Sequence, residues 1–278
     1  MVPRVLFSGL VDDAALFPPG DVPMDRALAE HAEHRAAPYA DLIGPFLCPA
    51  SRVEELRSTL PDDRSLALGL VFDVTGESAH EVFRAVGSDG RLALVAVEAA
   101  YARLGEHAAT IGANVARHSG VTGYLEVPRT DFGDALDLVR EGSWGGAKFR
   151  TGGTDAAAFP SEAEVAAFLV AAAGRRVSFK LTAGLHDAVR HRAADTGWEH
   201  HGLLNVLVAT RAAAQGRGPD EVAAVLAERD GARLAAAVRD WDEDACLDVR
   251  RAFRSFGCCG VTDPIHDLEA LGLVEGVR

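Results

Sequence analysis

At 278 residues, 48% of them hydrophobic, the chain can bury one large α/β core, and no shift in composition calls for a second, so residues 1–278 read as a single domain. A formal charge of −13 argues against nucleic acid or an anionic membrane as the main partner, because both reward a basic surface; a small molecule is the expected partner. The start, MVPRVLFSGLVDDAALFPP, reaches Asp12 and Asp13 before it could form a signal-peptide core or a membrane span, and Cys48, Cys246, Cys258 and Cys259 show no CxxC spacing, so reduced thiols and a cytoplasmic location are expected.

Residues 4–11 (RVLFSGLV) read as a first strand, followed by a proline-rich turn and a helix near 23–35. Strands then recur at 41–48, 66–74, 91–98, 121–127, 145–150 and 176–182. Helices follow them at 52–59, 78–86, 102–118, 131–140 and 161–173. Seven strands alternating with helices imply a parallel sheet. The rhythm breaks after the seventh, where a His-rich loop and helical stretches near 202–214, 219–228 and 231–241 make an insertion over about 185–241. That segment is roughly 40 residues longer than an alternating unit requires. A strand at 253–257 and a helix near 264–272 complete an eightfold count. The fold expected is a (β/α)8 TIM barrel with a helical insertion between strands seven and eight, and no GxGxxG or P-loop signature favours an open sheet.

The chain holds 28 lysines and arginines, and only Lys148 and Lys180 are lysines. Arginine serves surface charge and anion binding well, but a guanidinium does not lose its proton to attack a carbonyl, whereas a lysine pKa falls readily on burial. Side chains alternate along a strand, so parity decides what enters the barrel. Phe179 and Leu181 suit the helix-facing side, which turns Lys180 and Thr182 inward. Ala147 and Phe149 likewise leave Gly146, Lys148 and Arg150 inward, and Leu125 and Val127 leave Tyr124 and Glu126 inward. With strands about 4.8 Å apart, two inward lysines on neighbouring strands should repel, and with burial this is expected to lower the pKa of at least one. Asp73 ends strand three, Glu98 ends strand four and Asp12 follows strand one, so Asp12, Asp73, Glu98, Glu126, Lys148, Arg150 and Lys180 gather at the carboxyl end of the barrel.

These residues resemble the deoxyribose-phosphate aldolases and related class I aldolases. AKFRTGG is similar to the family's VKTSTG-like strand with the Schiff-base lysine, and FKLTAGLHD to its VKASGGIR strand. The segment VDDAALFPPGDVPMDRALAEHAE is similar to the first strand, loop and helix of that family. FLCPASRVEELRSTL resembles the second strand with its cysteine, YLEVPRTDF the glutamate-bearing fifth, and RSFGCCG the RIGTSSG of the eighth. The resemblance implies a cofactor-independent lyase with Lys148 as imine-forming nucleophile and Lys180 as the ammonium that keeps it partly unprotonated. It implies that Asp12, Cys48 and Glu126 line the site. Three departures are visible: strand four has RLALVAVEAAY in place of an earlier aspartate, TAGL replaces a double glycine, and GCCG replaces TSSG. They imply a substrate other than the family's sugar phosphate.

Arg150, two residues beyond Lys148, suits a carboxylate or phosphate clamp, with a salt bridge to Glu126 as the alternative. Asp73, Thr182, His186 and Gly257, all near strand ends, complete the expected substrate-binding set. His186, His191, His200 and His201, with Asp187 and Glu199, have the ligand types of zinc, manganese or iron but no standard spacing, so no metal is assigned. A metal-dependent lyase or hydrolase built on them, or a barrel that only binds ligand, are the alternatives to the aldolase reading. Cys258 and Cys259 suit packed small residues, with Asp263 and His266 close to them in sequence. Nothing sets the oligomeric state, and a homo-oligomer is compatible with the composition.

Overall fold

The computed structural model describes residues 2–74, 77–142 and 144–275. Eight parallel strands close into a barrel: β1 (Val11–Asp13), β2 (Ile43–Pro49), β3 (Leu66–Val71), β4 (Leu92–Ala100), β5 (Thr122–Glu126), β6 (Gly146–Arg150), β7 (Phe179–Thr182) and, after the insertion, Phe253–Cys258. Between the last two lies a small antiparallel hairpin, β8 (His191–Arg192) with β9 (Glu199–His200), so the eighth barrel strand is β10. Strand β1 pairs with both β2 and β10, and this closes the ring. The helices are α1 (Met24–Ala36), α2 (Val53–Thr59), α3 (Glu77–Ser88), α4 (Tyr101–Leu104), α5 (Ala108–Val115), α6 (Gly133–Arg140), α7 (Glu162–Arg175), α8 (Leu203–Ala214), α9 (Pro219–Leu226), α10 (Gly231–Arg239), α11 (Glu243–Ala252) and α12 (Thr262–Ala270). The (β/α)8 barrel with an insertion between its seventh and eighth strands is therefore present.

Packing follows the parity of the strands. Phe149 of β6, Phe179 of β7 and Phe253 of β10 are buried, with ring centroids 4.4 Å between Phe149 and Phe168, 5.3 Å between Phe168 and Phe179, and 5.3 Å between Phe179 and Phe253. Phe168 belongs to α7, so this stack joins that helix to the sheet. Each such ring contributes about 1.5–3 kcal/mol through burial. Ala156–Arg175 is long and apolar enough to cross a bilayer, but its Val165, Ala166, Phe168, Leu169 and Ala172 are buried within the fold. Ser161 opens α7 with a capping box, accepting from the Glu164 backbone N–H while Glu164 accepts from that of Ser161. Helices α8 and α9 pack on α7, which places the insertion outside the ring.

Two local departures from expectation matter for the site. Residues 4–11 do not form the first strand. Arg4–Leu6 is a 3-10 turn after Pro3, and Gly9 adopts a left-handed φ of 57°, which an extended strand cannot hold, so β1 begins at Val11 and contains Asp12. In β2, the register slips between the pairs Val11–Ile43 and Asp13–Phe46, around Pro45, which lacks the N–H a ladder needs. Gly44 and Leu47 consequently both approach the barrel interior, although they are three positions apart, an odd spacing. Helix α11 and the β8–β9 hairpin are elements the sequence reading did not include.

Gly44 is where the barrel makes room for Asp12. A Cβ there would lie 2.1 Å from Asp12 Oδ1, closer than any real contact. Gly44→Ala is expected to destabilise the fold by about 1–3 kcal/mol through overpacking, measured by urea unfolding, unless Asp12 leaves its place. Wild-type stability together with an undisturbed Asp12 would contradict this packing.

Candidate active site

Strand register sets the site. Glu126, Lys148 and Lys180 are direct partners across β5, β6 and β7. Glu98 sits one layer back, paired with Tyr124, and its side chain reaches between the two lysines. Its carboxylate contacts Lys148 Nζ through Oε2 at 2.7 Å and accepts from Lys180 Nζ through Oε1. Lys180 also donates to Asp12 Oδ2 at 2.5 Å, and Lys148 contacts Glu126 Oε2 at 2.9 Å. Arg150 then donates to Glu126 Oε1 at 3.2 Å. The result is a line of six charges of alternating sign: Asp12, Lys180, Glu98, Lys148, Glu126, Arg150.

Exposure rises steeply along that line. The side chains of Lys180 and Glu98 are 1% exposed and that of Lys148 4%, whereas Glu126 is 20% and Arg150 49% exposed. Above it opens a cavity of about 530 Å³ at the carboxyl ends of the strands. Lys148, Glu98, Glu126 and Arg150 line this cavity together with Leu47, Asp73, Arg103, Thr182, His186, Gly257 and Cys259. Lys180 and Asp12 do not line it; they lie beneath.

The electrostatics reverse one expectation. Burial alone would lower the Lys180 pKa, but the charges of Asp12 and Glu98 and its hydrogen bonds to both outweigh that, and the ammonium is held up. Its Nζ also lies 5.4 Å from the Tyr124 ring centroid, a further contact that favours the charged form. The lysines do not face each other bare. For Glu98, burial pushes the carboxyl up, yet Lys148 and Lys180 together bring it down to about 2. Burial raises Asp12 by more than Lys180 and Ser255 lower it. Glu126 falls, because Lys148 and Arg150 overcome its burial.

The other expected residues divide. Asp73 is at the rim, accepting from the backbone N–H of Ser51 at 2.9 Å, and its carbonyl accepts from Arg103. Thr182 and Gly257 are wall residues, Gly257 pairing with Thr182 across β7 and β10. Cys48 is not in the cavity. It lies in a second apolar cluster with Phe46, Val53 and Leu56, because the slip at Pro45 turns Leu47 inward in its place, and burial pushes its thiol up to about 12. Arg150 meets Glu126, as the salt-bridge alternative had it, yet half of its side chain stays open to a ligand. The TAGL loop keeps a glycine-like path: Ala183 has φ 62° and Gly184 φ 78°, and the Gly184 backbone lies against Thr151 and Gly152 of the preceding loop.

Parity alone could have found Ser255, which shares a strand face with Gly257 and whose hydroxyl donates to Asp12 Oδ2 at 2.7 Å. No local signal marks Arg103, Phe159 or Asp155 as wall residues. Only two of the four histidines meet: His191 and His200 pair across the β8–β9 hairpin with ring centroids 5.1 Å apart. His201 is buried between Pro160 O and Arg190, His191 contacts Asp187, His200 packs on Phe159, and His186 contacts Asp263. Among the described residues, no group of three or more His, Cys, Asp or Glu side chains is arranged to hold a metal ion.

Removing Glu98 should expose the strain it relieves. Glu98→Gln leaves two ammoniums on register-paired positions and is expected to cost about 3–5 kcal/mol, read by urea unfolding. The pH dependence has a definite sign. Glu98 is depressed below its unfolded value of about 4.3, so its ionisation contributes stability that is complete above that pH and is lost as pH falls toward 2. Asp12, raised by burial, should take its proton first. Carboxyl ¹³C titration of labelled protein checks the order, and a Glu98 that titrates before Asp12 contradicts the arrangement.

Comparison with protein-family models, with curated proteins and with solved structures returns no significant match, so the functional reading rests on this chain's own geometry.

Proposed function

We propose that the protein is a class I, Schiff-base carbon–carbon lyase or synthase of the aldolase type, acting on a small carbonyl compound through Lys148. One observation carries this reading: of the two lysine amines, only that of Lys148 lines the cavity, and it does so between two carboxylates. Lys180, locked between Asp12 and Glu98 beneath the cavity, supplies fixed positive charge.

The reaction starts with a proton. Glu126 is the more exposed partner of Lys148 and takes one ammonium proton when a carbonyl group displaces it toward Arg150. The free amine adds to the carbonyl carbon, and the carbinolamine oxygen is protonated and leaves as water. A protonated imine then occupies the place of the ammonium, against Glu98, whose charge is already oriented there. In the cleavage direction Glu126, having given its proton to the departing water, takes the proton of the hydroxyl on the β carbon; the Cα–Cβ bond breaks, a carbonyl product leaves, and the electron pair neutralises the imine as an enamine. In the synthetic direction Glu126 removes the proton from the neighbouring carbon to give the enamine. Lys180 keeps Glu98 ionised throughout, so the imine is never without a counter-charge. Arg103 and Arg150 at the rim suit a substrate with a carboxylate or phosphate group.

Borohydride reduction in the presence of small aldehydes, ketones and 2-keto acids, followed by peptide mass analysis, tests the reading. The expected outcome is one reduced adduct at Lys148 and none in Lys148→Ala. Absence of an adduct across the panel, or an adduct at Lys180, overturns it.

A further inference from the structure

A second cluster of reactive groups lines the same cavity, outside the alternating charges, at the ends of β7 and β10. Cys258 ends β10, Cys259 follows it, His186 comes from the loop after β7, and Asp263 sits in the first turn of α12. The His186 Nδ1 is 3.1 Å from Asp263 Oδ2, and its Nε2 is 3.5 Å from Cys259 Sγ. Cys258 Sγ lies 3.6 Å from Nδ1 and donates to Gly260 O at 3.2 Å. One ring nitrogen is thus fixed by a carboxylate while the other faces a thiol. Nucleophilic catalysis needs this order: nucleophile, base, and a group that orients the base.

The two thiols are not equivalent. Cys258 is 2% exposed, and burial holds its thiol up more than His186 lowers it. Cys259 is partly exposed and lines the cavity beside His186. Asp263, then the two thiols, hold the His186 imidazolium up to about 12, so the ring is protonated and its Nε2–H faces the Cys259 sulfur. Cys259 also sits three residues before the start of α12, whose N-terminal dipole favours negative charge on the sulfur.

We propose that Cys259 is a second nucleophile of this cavity, activated by His186 and oriented through Asp263, and that it takes up the acyl group of a small thioester or activated ester. The Cys259 proton leaves to solvent, the His186 imidazolium balances the thiolate, and the sulfur adds to the acyl carbon. The bond from that carbon to the leaving sulfur or oxygen breaks, His186 Nε2–H donates its proton to the leaving group, and solvent restores the imidazolium. The products are an acylated Cys259 and a free thiol or alcohol, with no oxidant or reductant required. The acceptor is a nucleophile in the same cavity. Under the imine reading it is the enamine carbon on Lys148, which attacks the thioester, forms the new carbon–carbon bond and releases Cys259; this last step alone rests on that reading.

The test uses p-nitrophenyl acetate with the full chain. A burst of one equivalent of p-nitrophenolate and a single acetyl group on Cys259, found by peptide mass analysis, is expected. Cys259→Ala should abolish the burst, and His186→Gln should slow it by at least about a hundredfold, the low end for loss of a general acid–base group. Alkylation by iodoacetamide provides a second measurement on the same variants and should show the same dependence on His186. Lys148→Ala removes the imine chemistry, so acetylation of Cys259 in that variant should persist whether or not borohydride trapping succeeds in the wild type. Acetyl found on Cys258, a rate unchanged in His186→Gln, or acetylation lost with Lys148 would each overturn the proposal.

Discussion

The carboxylate of Glu98 between the ammoniums of Lys148 and Lys180 is the contact on which the barrel interior depends. Register places the two lysines on directly paired positions of neighbouring strands. Two like charges about 5 Å apart, in an effective dielectric of about 20, repel by roughly 3 kcal/mol. Glu98 turns that repulsion into two attractions, and Asp12 and Glu126 extend the alternation on either side. Six charges sum to zero. Desolvating so many groups is nonetheless expensive, and an apolar core of the same volume would serve stability as well or better. Their presence is better explained by what they do to a ligand above them than by what they add to the fold.

The gradient of exposure along the line divides the work. At the buried end Asp12 and Lys180 exchange nothing with the cavity, and Ser255, Gly44 and Tyr124 hold them in place. At the open end Glu126 and Arg150 can move without leaving a buried charge unpaired, because solvent reaches them. Lys148 is the boundary between these regimes. It is buried enough for chemistry away from bulk water and yet reachable from the cavity. An imine formed there keeps the positive charge that Glu98 already balances, so the field need not reorganise during the reaction.

Much of this was legible in the sequence, and the boundary between what was and was not has physical causes. The eightfold alternation is a local property of hydrophobic period, and the inward side of β5, β6 and β7 follows from parity, so Glu126, Lys148, Arg150, Lys180 and Thr182 could be placed before any coordinates. Partnership across the ring could not, because it depends on how the barrel closes. Lys180 finds Asp12 across 168 positions of sequence and Glu98 across 82. Parity alone makes the two lysines mutual repellers, whereas each has one carboxylate of its own, Glu126 or Asp12, and they share Glu98. The resemblance fails where a strand slips, and Pro45 is such a place: Cys48, which the resemblance puts in the site, turns outward there. The apolar run 4–11 reads as a strand because period alone does not register what Gly9 does to the backbone. Helix α11 escapes the pattern because its acidic first turn, opened by Asp242, dilutes the apolar face formed by Ala245, Cys246 and Val249.

The insertion shows the same principle at longer range. Its histidines look like a ligand set when lined up in sequence, but the fold brings only His191 and His200 together and sends His186 and His201 to other partners. Arg190 is buried and tied to Glu162 at 2.7 Å and Glu199 at 3.3 Å, which fastens the β8–β9 hairpin to the start of α7. That anchorage sets His200 against Phe159 with centroids 4.5 Å apart, and both become cavity wall. His186, at the front of the same segment, is held instead by Asp263 from α12. One stretch of chain therefore builds two adjoining parts of the cavity by being pinned at two points, to α7 and to α12. A wall made this way is fixed by ion pairs outside the ring, so its shape can differ from that of other barrels while the alternating charges beneath it stay unchanged. Under the proposed lyase reading, substrate choice belongs to the pinned segment, and reaction type belongs to the strands.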